Sequence, residues 1–81
     1  MALSQTEVLT GLAQIVNEET GLDTSQVQME KSFVDDLDID SISMLTIVMN
    51  AEEKFGVTIP EDKVADLKTV ADAVNFITEA Q

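Results

Sequence analysis

An all-α fold is predicted: a small four-helix bundle of three longer helices and a short third one, with a long loop between helices one and two. Three observations predict it. Apolar residues recur at helical spacing in three separate segments. Each of those segments follows a residue able to cap a helix, and two of them stop at a glycine. The Val, Ile, Leu and Phe content follows this period although the formal charge is −12, which argues for a folded chain and against acidic disorder. With 81 residues, 44% of them apolar, a single domain over residues 1–81 with a small core is expected.

Ser4 precedes the first helix with Glu7 three residues on, a capping box in which each side chain satisfies the other's free backbone donor. Val8, Leu12, Ile15 and Val16 share one face as a core stripe, with Glu19 on the same side. Gly21 supplies the stop, because glycine takes a left-handed conformation without a side-chain clash, so helix one is placed at about Gln5–Thr20. From Leu22 to Ile39 no period is sustained, and single apolar residues at Leu22, Val27, Phe33, Val34 and Leu37 stand among polar ones. Loops of this length are uncommon in compact domains and usually functional, and these residues are expected to anchor it across the helices. The loop ends in Asp35-Asp36-Leu37-Asp38-Ile39-Asp40, four carboxylates in six residues, with Asp40 as N-cap and Ser41 in the first turn of the next helix.

Helix two, about Ser41 to Phe55 and stopped by Gly56, carries two apolar stripes. At about 100° per residue, Met44, Ile47, Val48, Ala51 and Phe55 form its core face, while Ile42, Leu45 and Met49 fall on another centred some 140° away. A small domain cannot bury both faces of one surface helix, so the second stripe is either covered by a partner or exposed at a cost. Burying its side chains would contribute at most about 1.5–3 kcal/mol each. Val57-Thr58-Ile59 is β-branched and extended, and Pro60 sets the start of a short third helix, Glu61 to about Asp66, with Val64 and Leu67 facing in. Thr69 with Asp72 caps the last helix, whose buried face is Val70, Ala73, Val74 and Ile77.

Composition excludes whole classes of function. Sixteen acids face four lysines, and the chain has no histidine, cysteine, tryptophan or tyrosine. A Ser-His-Asp or Cys-His site needs an imidazole or thiol, and a zinc site needs His or Cys, so neither chemistry is available and disulfides are absent. The charge repels phosphate backbones and anionic lipid headgroups and attracts cationic protein surfaces, which argues against nucleic acid and membrane insertion and for basic protein partners. Met1–Glu7 has no positive stretch leading into an apolar one, and no apolar run approaches the roughly 18 residues of a membrane span, so a cytoplasmic location is expected.

Asp36, Asp38 and Asp40 alternate like the first half of a calcium loop, but that loop needs Gly where Ser41 stands and a bidentate Glu where Ile47 stands. No metal site is therefore assigned. Nothing in the sequence places two carboxylates around an apolar cleft, so no catalytic pair is assigned either. Ser41 is different in kind, because a phosphate on a residue in the first helical turn meets the helix's positive end and free N–H donors. Serine is common at helix starts, so this alone is weak. The carboxylate cluster before it, the Ile42/Leu45/Met49 stripe beside it and Glu52 and Glu53 further along place a modifiable hydroxyl next to an apolar and acidic docking surface.

On these residues the chain resembles the acyl carrier proteins of the type II fatty acid synthase kind. Asp40-Ser41-Ile42 is similar to their Asp-Ser-Leu signature, Ser32-Phe33-Val34-Asp35-Asp36-Leu37 precedes it, and Glu52-Glu53-Lys54-Phe55-Gly56-Val57-Thr58-Ile59-Pro60 follows it in register. The resemblance covers essentially the whole chain, including the four-helix spacing and the Thr69-Val70 start of the last helix. Residues 35–44 look most like actinobacterial carriers of fatty-acid or mycolic-acid synthesis, although mycobacterial versions carry a long C-terminal extension and this chain stops at Gln81.

The resemblance implies that Ser41 is esterified by 4′-phosphopantetheine from coenzyme A through a holo-acyl-carrier-protein synthase, and that the thiol of the arm carries growing acyl chains as thioesters. The expected partners are malonyl transferase, ketosynthase, reductases and dehydratase with basic docking patches, served by a monomeric, non-catalytic shuttle. Recognition is assigned to Asp40, Ile42, Leu45, Met49, Glu52, Glu53 and Ile59, with Asp36 and Asp38 of the acidic run. Ile42 departs from the usual Leu, and Thr46 stands where many fatty-acid carriers have a partner-pairing Glu. Val48, Ala51, Phe55, Ile59 and Ile77 are the expected lining of an acyl-chain shelter. The alternatives are a polyketide or mycolic-acid carrier and, from another class, a small acidic calcium-binding or protein-binding helical module. From Asp35 to Asp66 nine acids and two lysines give a net −7, against −5 over the remainder, so the charge concentrates around helix two.

Overall fold

The computed structural model describes residues 3–81, so Met1 and Ala2 of the leader reading lie outside the described residues. The helices are α1 (Gln5–Thr20), α2 (Ser41–Phe55), α3 (Glu61–Val64) and α4 (Val70–Ala80), with a 3₁₀ turn at Thr24–Gln26 in the long loop. Both expected capping boxes form: the Ser4 side chain accepts from the Glu7 N–H, and the Thr69 side chain accepts from the Asp72 N–H. Gly21 and Gly56 end α1 and α2 in the left-handed region, with φ of 80° and 66°. Each cap closes a helix end that would otherwise leave backbone groups unpaired.

α1 packs against both α2 and α4. Between them lie Val8, Leu12 and Val16 of α1, Ile47 of α2 and Val70, Val74 and Ile77 of α4, all fully buried together with Phe33 of the loop. Gly11 permits close approach of α1 to the end of α2, since a Cβ there would lie 2.8 Å from Phe55 Cζ. No buried polar side chain occurs among the described residues, so the core is held by apolar burial alone.

The loop is tied down more firmly than its composition indicates. Ser32 pairs with Thr69 in an isolated antiparallel bridge. The Phe33 N–H donates to the Lys68 carbonyl at 3.0 Å, and the Val70 and Ala71 N–H groups donate to Lys31 and Met29. These bonds join the loop to the start of α4. At the other pole, the Leu3 N–H donates to Gln81 Oε1 at 2.9 Å and Gln81 Nε2 donates back to the Leu3 carbonyl at 3.2 Å.

Two sequence expectations are corrected. Val34 is not an anchor but is 61% exposed. The Ser32 carbonyl accepts from the Asp36 and Leu37 N–H groups, winding the segment into a helical turn. One turn puts residues four apart on the same face, so Phe33 and Leu37 go in and Val34 turns out. The third helix ends at Val64, before Asp66, because the Asp66 and Leu67 N–H groups bond three residues back to Lys63 and Val64 and tighten the end. Leu67 still faces in.

Candidate functional site

Ser41 is the first residue of α2 and is exposed. Asp40 precedes it in an extended conformation, its carboxylate accepting from the Ser43 N–H at 2.7 Å. The cap bond is thus made by Asp40, which leaves the Ser41 hydroxyl outside the capping arrangement at the positive end of a 15-residue helix. The Ser43 N–H bond, helped by the Ser43 hydroxyl and, less, by the Ile42 N–H, holds the Asp40 carboxyl below its ordinary value against an opposing desolvation.

This lowering has a definite sign. A carboxyl whose folded pKa is depressed stabilises the fold fully above its unfolded value, about 3.9, and loses that contribution as pH falls through the lower folded value. Asn is an equally good cap without the titration. The difference in melting temperature between wild type and Asp40→Asn is therefore expected to be flat above about pH 5 and to move against wild type below about pH 4. A difference independent of pH down to acid would show that the cap does not depend on ionisation.

A groove of about 590 Å³ opens beside Ser41. Met44 and Leu45 of α2, Val64 of α3, Ala65 just after it, and Val34 and Ile39 of the loop supply its apolar walls, with Asp40, Ser41 and Glu61 also lining it. The expected shelter residues are placed differently. Val48, Ala51, Ile59 and Ile77 are buried in the core, and Phe55 lines another groove with Leu3 and Gly11. The open apolar surface next to the serine thus lies between α2 and α3.

The second stripe of α2 is exposed as its spacing requires: Ile42 at 76%, Leu45 at 49% and Met49 at 63%. Asp36, Asp38, Asp40 and Glu53 are exposed as well. Ile59 departs from the recognition assignment, since it is only 6% exposed and faces the core. Glu52 is half-buried, and its carboxylate accepts from the Ile59 N–H at 2.7 Å. Glu52 thereby bolts the extended segment after α2 to that helix, which explains why Ile59 turns inward. Thr46 is half-buried, its hydroxyl donating back to the Ile42 carbonyl at 3.4 Å.

Glu52→Ala is accordingly expected to destabilise the fold by about 1–3 kcal/mol, because the Ile59 N–H loses a charged acceptor in a partly buried place. Urea denaturation checks this, and a loss below a few tenths of a kcal/mol would assign Glu52 to the surface alone. Sequence reasoning missed Val34, Val64 and Ala65. The first was legible in principle from the four-residue spacing of Phe33 and Leu37, whereas Val64, expected to face in, is partly buried and lines the groove with Ala65.

An exposed serine on a helix N-terminus, an apolar groove starting at that serine, and an apolar stripe rimmed by carboxylates define a carrier-type helical domain. The donor set fits a phosphodiester-linked arm: a free hydroxyl, helix N–H groups for the phosphate, and an apolar surface within reach. Residues 10–77 match the family model described as a phosphopantetheine attachment site. The acyl carrier protein of Kocuria rhizophila is 72% identical over 78 residues, 96% of either chain. That of Myxococcus xanthus is 71% identical, covering 95% of this chain and 98% of its own. The solved acyl carrier protein from Enterococcus faecalis superposes with a TM-score of 0.80 at 30% identity, covering 98% of this chain and all of that one. The chain belongs to the acyl carrier protein family, whose prosthetic group is 4′-phosphopantetheine.

Proposed function

We propose that Ser41 is the attachment residue and that the protein, as one domain over residues 1–81, carries growing acyl chains to the enzymes of fatty acid synthesis. The observation that carries this reading is the exposed Ser41 in the first turn of α2 at the mouth of an apolar groove. The arm supplies a terminal thiol on which the acyl chain is held as a thioester. Everything else is done by the chain's own residues.

The Ser41 Oγ forms the new bond to phosphorus while coenzyme A loses its adenosine 3′,5′-bisphosphate portion and the hydroxyl proton leaves. The end of α2 favours the phosphate once it is in place. Met44, Leu45, Val64 and Val34 offer an apolar chain a surface away from water. The exposed stripe of α2 makes the apolar contact with partners, and Asp36, Asp40 and Glu53 steer basic patches towards it. Electrostatic attraction raises the encounter rate without a large interface that would dissociate slowly, which suits a carrier handed from one enzyme to the next. No group of this chain is assigned a catalytic step. Holo-acyl-carrier-protein synthase, malonyl transferase, ketosynthase, reductases and dehydratase are the proposed partners of a monomeric carrier in the cytoplasm. No helix among the described residues is long and apolar enough to cross a membrane.

Incubation with coenzyme A, magnesium and a holo-acyl-carrier-protein synthase is expected to raise the intact mass by one phosphopantetheine, located on Ser41 by peptide mapping. Absence of the gain, or its location elsewhere, would overturn the reading. In hexanoyl-loaded protein, NMR shifts are expected at Met44, Leu45 and Val64, the residues facing the groove.

A further inference from the structure

Asp38 is the one non-glycine residue with positive φ among the described residues, at 55°. L residues avoid this region because Cβ approaches a carbonyl oxygen, and Asp and Asn are the exceptions that visit it. Asp38 is exposed, and both of its neighbours are buried. The Leu37 N–H before it donates to the Ser32 carbonyl at 3.0 Å, and the Ile39 N–H after it reaches back to the Phe33 carbonyl at 2.9 Å. Phe33 is in turn held by the Lys68 carbonyl at the start of α4. The left-handed residue reverses the chain between the helical turn 32–37 and the extended Asp40 that caps α2. From Phe33, where the loop is hydrogen-bonded to Lys68, the chain reaches Ser41 through that reversal. The bonds that close the turn come from the backbone and from the Ser32 and Asp36 side chains.

We propose that Asp38 is a positioning residue for the modification of Ser41, acting through its left-handed backbone and not through its charge. The reversal lets Leu37 and Ile39 both point inward and sets the direction from which Asp40 and Ser41 leave the loop. A side chain at this position that disfavours the left-handed region loosens the Ile39 anchor and lowers the fraction of molecules presenting Ser41 correctly, a loss that appears in KM. Part of this inference rests on the reading of Ser41 as the modified residue.

Charge and conformation can be separated at this one position. Asn keeps the left-handed tolerance and removes the charge, Glu keeps the charge and loses the tolerance, and Gly keeps only the tolerance. By NMR hydrogen exchange, the Ile39 amide is expected to exchange about fivefold faster in Asp38→Glu than in Asp38→Asn, with Asp38→Gly grouping with Asn. The kcat/KM for phosphopantetheine transfer is expected to follow the same order, with Glu below Asn by about threefold or more, mainly through KM. The order is expected to persist at raised ionic strength, where exposed charges are screened. Equal exchange in the Asn and Glu variants, or transfer to the Glu variant as good as or better than to the Asn variant, would overturn the proposal. Failure of the wild type to be modified would refute the carrier reading instead, and the exchange order would still decide the role of Asp38.

Discussion

Ser41→Ala is expected to fold as the wild type does and to gain no phosphopantetheine mass under conditions that load the wild type fully. The loss follows from chemistry, because alanine offers no oxygen to form the bond to phosphorus. Preservation of the fold follows from the geometry. Asp40 makes the cap bond to the Ser43 N–H, Ser41 is exposed, and alanine is the strongest helix former, so the change in stability stays within about 0.5 kcal/mol. The variant therefore separates attachment from folding, as matched thermal melts and intact-mass spectra would show. A mass gain that persisted in Ser41→Ala would move the attachment site elsewhere.

Phe33→Ala is expected to cost about 3–5 kcal/mol, the range for a fully buried aromatic replaced by alanine. A domain of this size holds only roughly 0.05–0.15 kcal/mol per residue, so the loss is a large fraction of its stability. Phe33 is the largest of the fully buried side chains although it comes from the loop, and its backbone groups hold both Lys68 and Ile39. The substitution removes the ring from beneath the loop whose end presents Ser41. Urea denaturation is expected to show a midpoint lowered accordingly, with Phe33→Leu between the two because it leaves a smaller void. A cost below about 1 kcal/mol would mean that the loop lies over the core without belonging to it.

These two predictions differ in how far the sequence alone supports them. Signals that act within one helical turn were legible. Ser4 with Glu7, Thr69 with Asp72, and the stops at Gly21 and Gly56 fixed the bounds of α1 and α2 and the start of α4, because capping is settled by residues three or four apart. The two stripes of α2 were legible for a related reason: a small domain has only one core for a helix to face. The site was less legible where it depends on distant partners. Ile59 faces inward because Glu52, seven residues earlier, accepts its N–H, and no periodicity encodes that bond. Val34 turns outward because the loop coils before it meets α4. Val64 and Ala65 meet the groove only where α3 packs beside α2, a long-range placement no periodicity encodes, and the left-handed Asp38 is one of several aspartates that composition cannot tell apart. The α2 stripe expected to meet partners is exposed, whereas Val48, Ala51, Ile59 and Ile77, expected to line the shelter, are packed in the core.

The reciprocal bonds between Leu3 and Gln81 bear on how the domain can be joined to other things. Leu3 lines the groove that includes Lys54 and Phe55, so both ends of the described chain lie by the last turn of α2, and Ser41 begins its first. Fifteen residues at 1.5 Å per residue separate the two poles by roughly 20 Å. A polypeptide entering before Leu3 and leaving after Gln81 would do so from one side, leaving the serine pole unshaded. Both ends of the described chain therefore lie at the pole of α2 away from Ser41, and the serine end is the one they leave open.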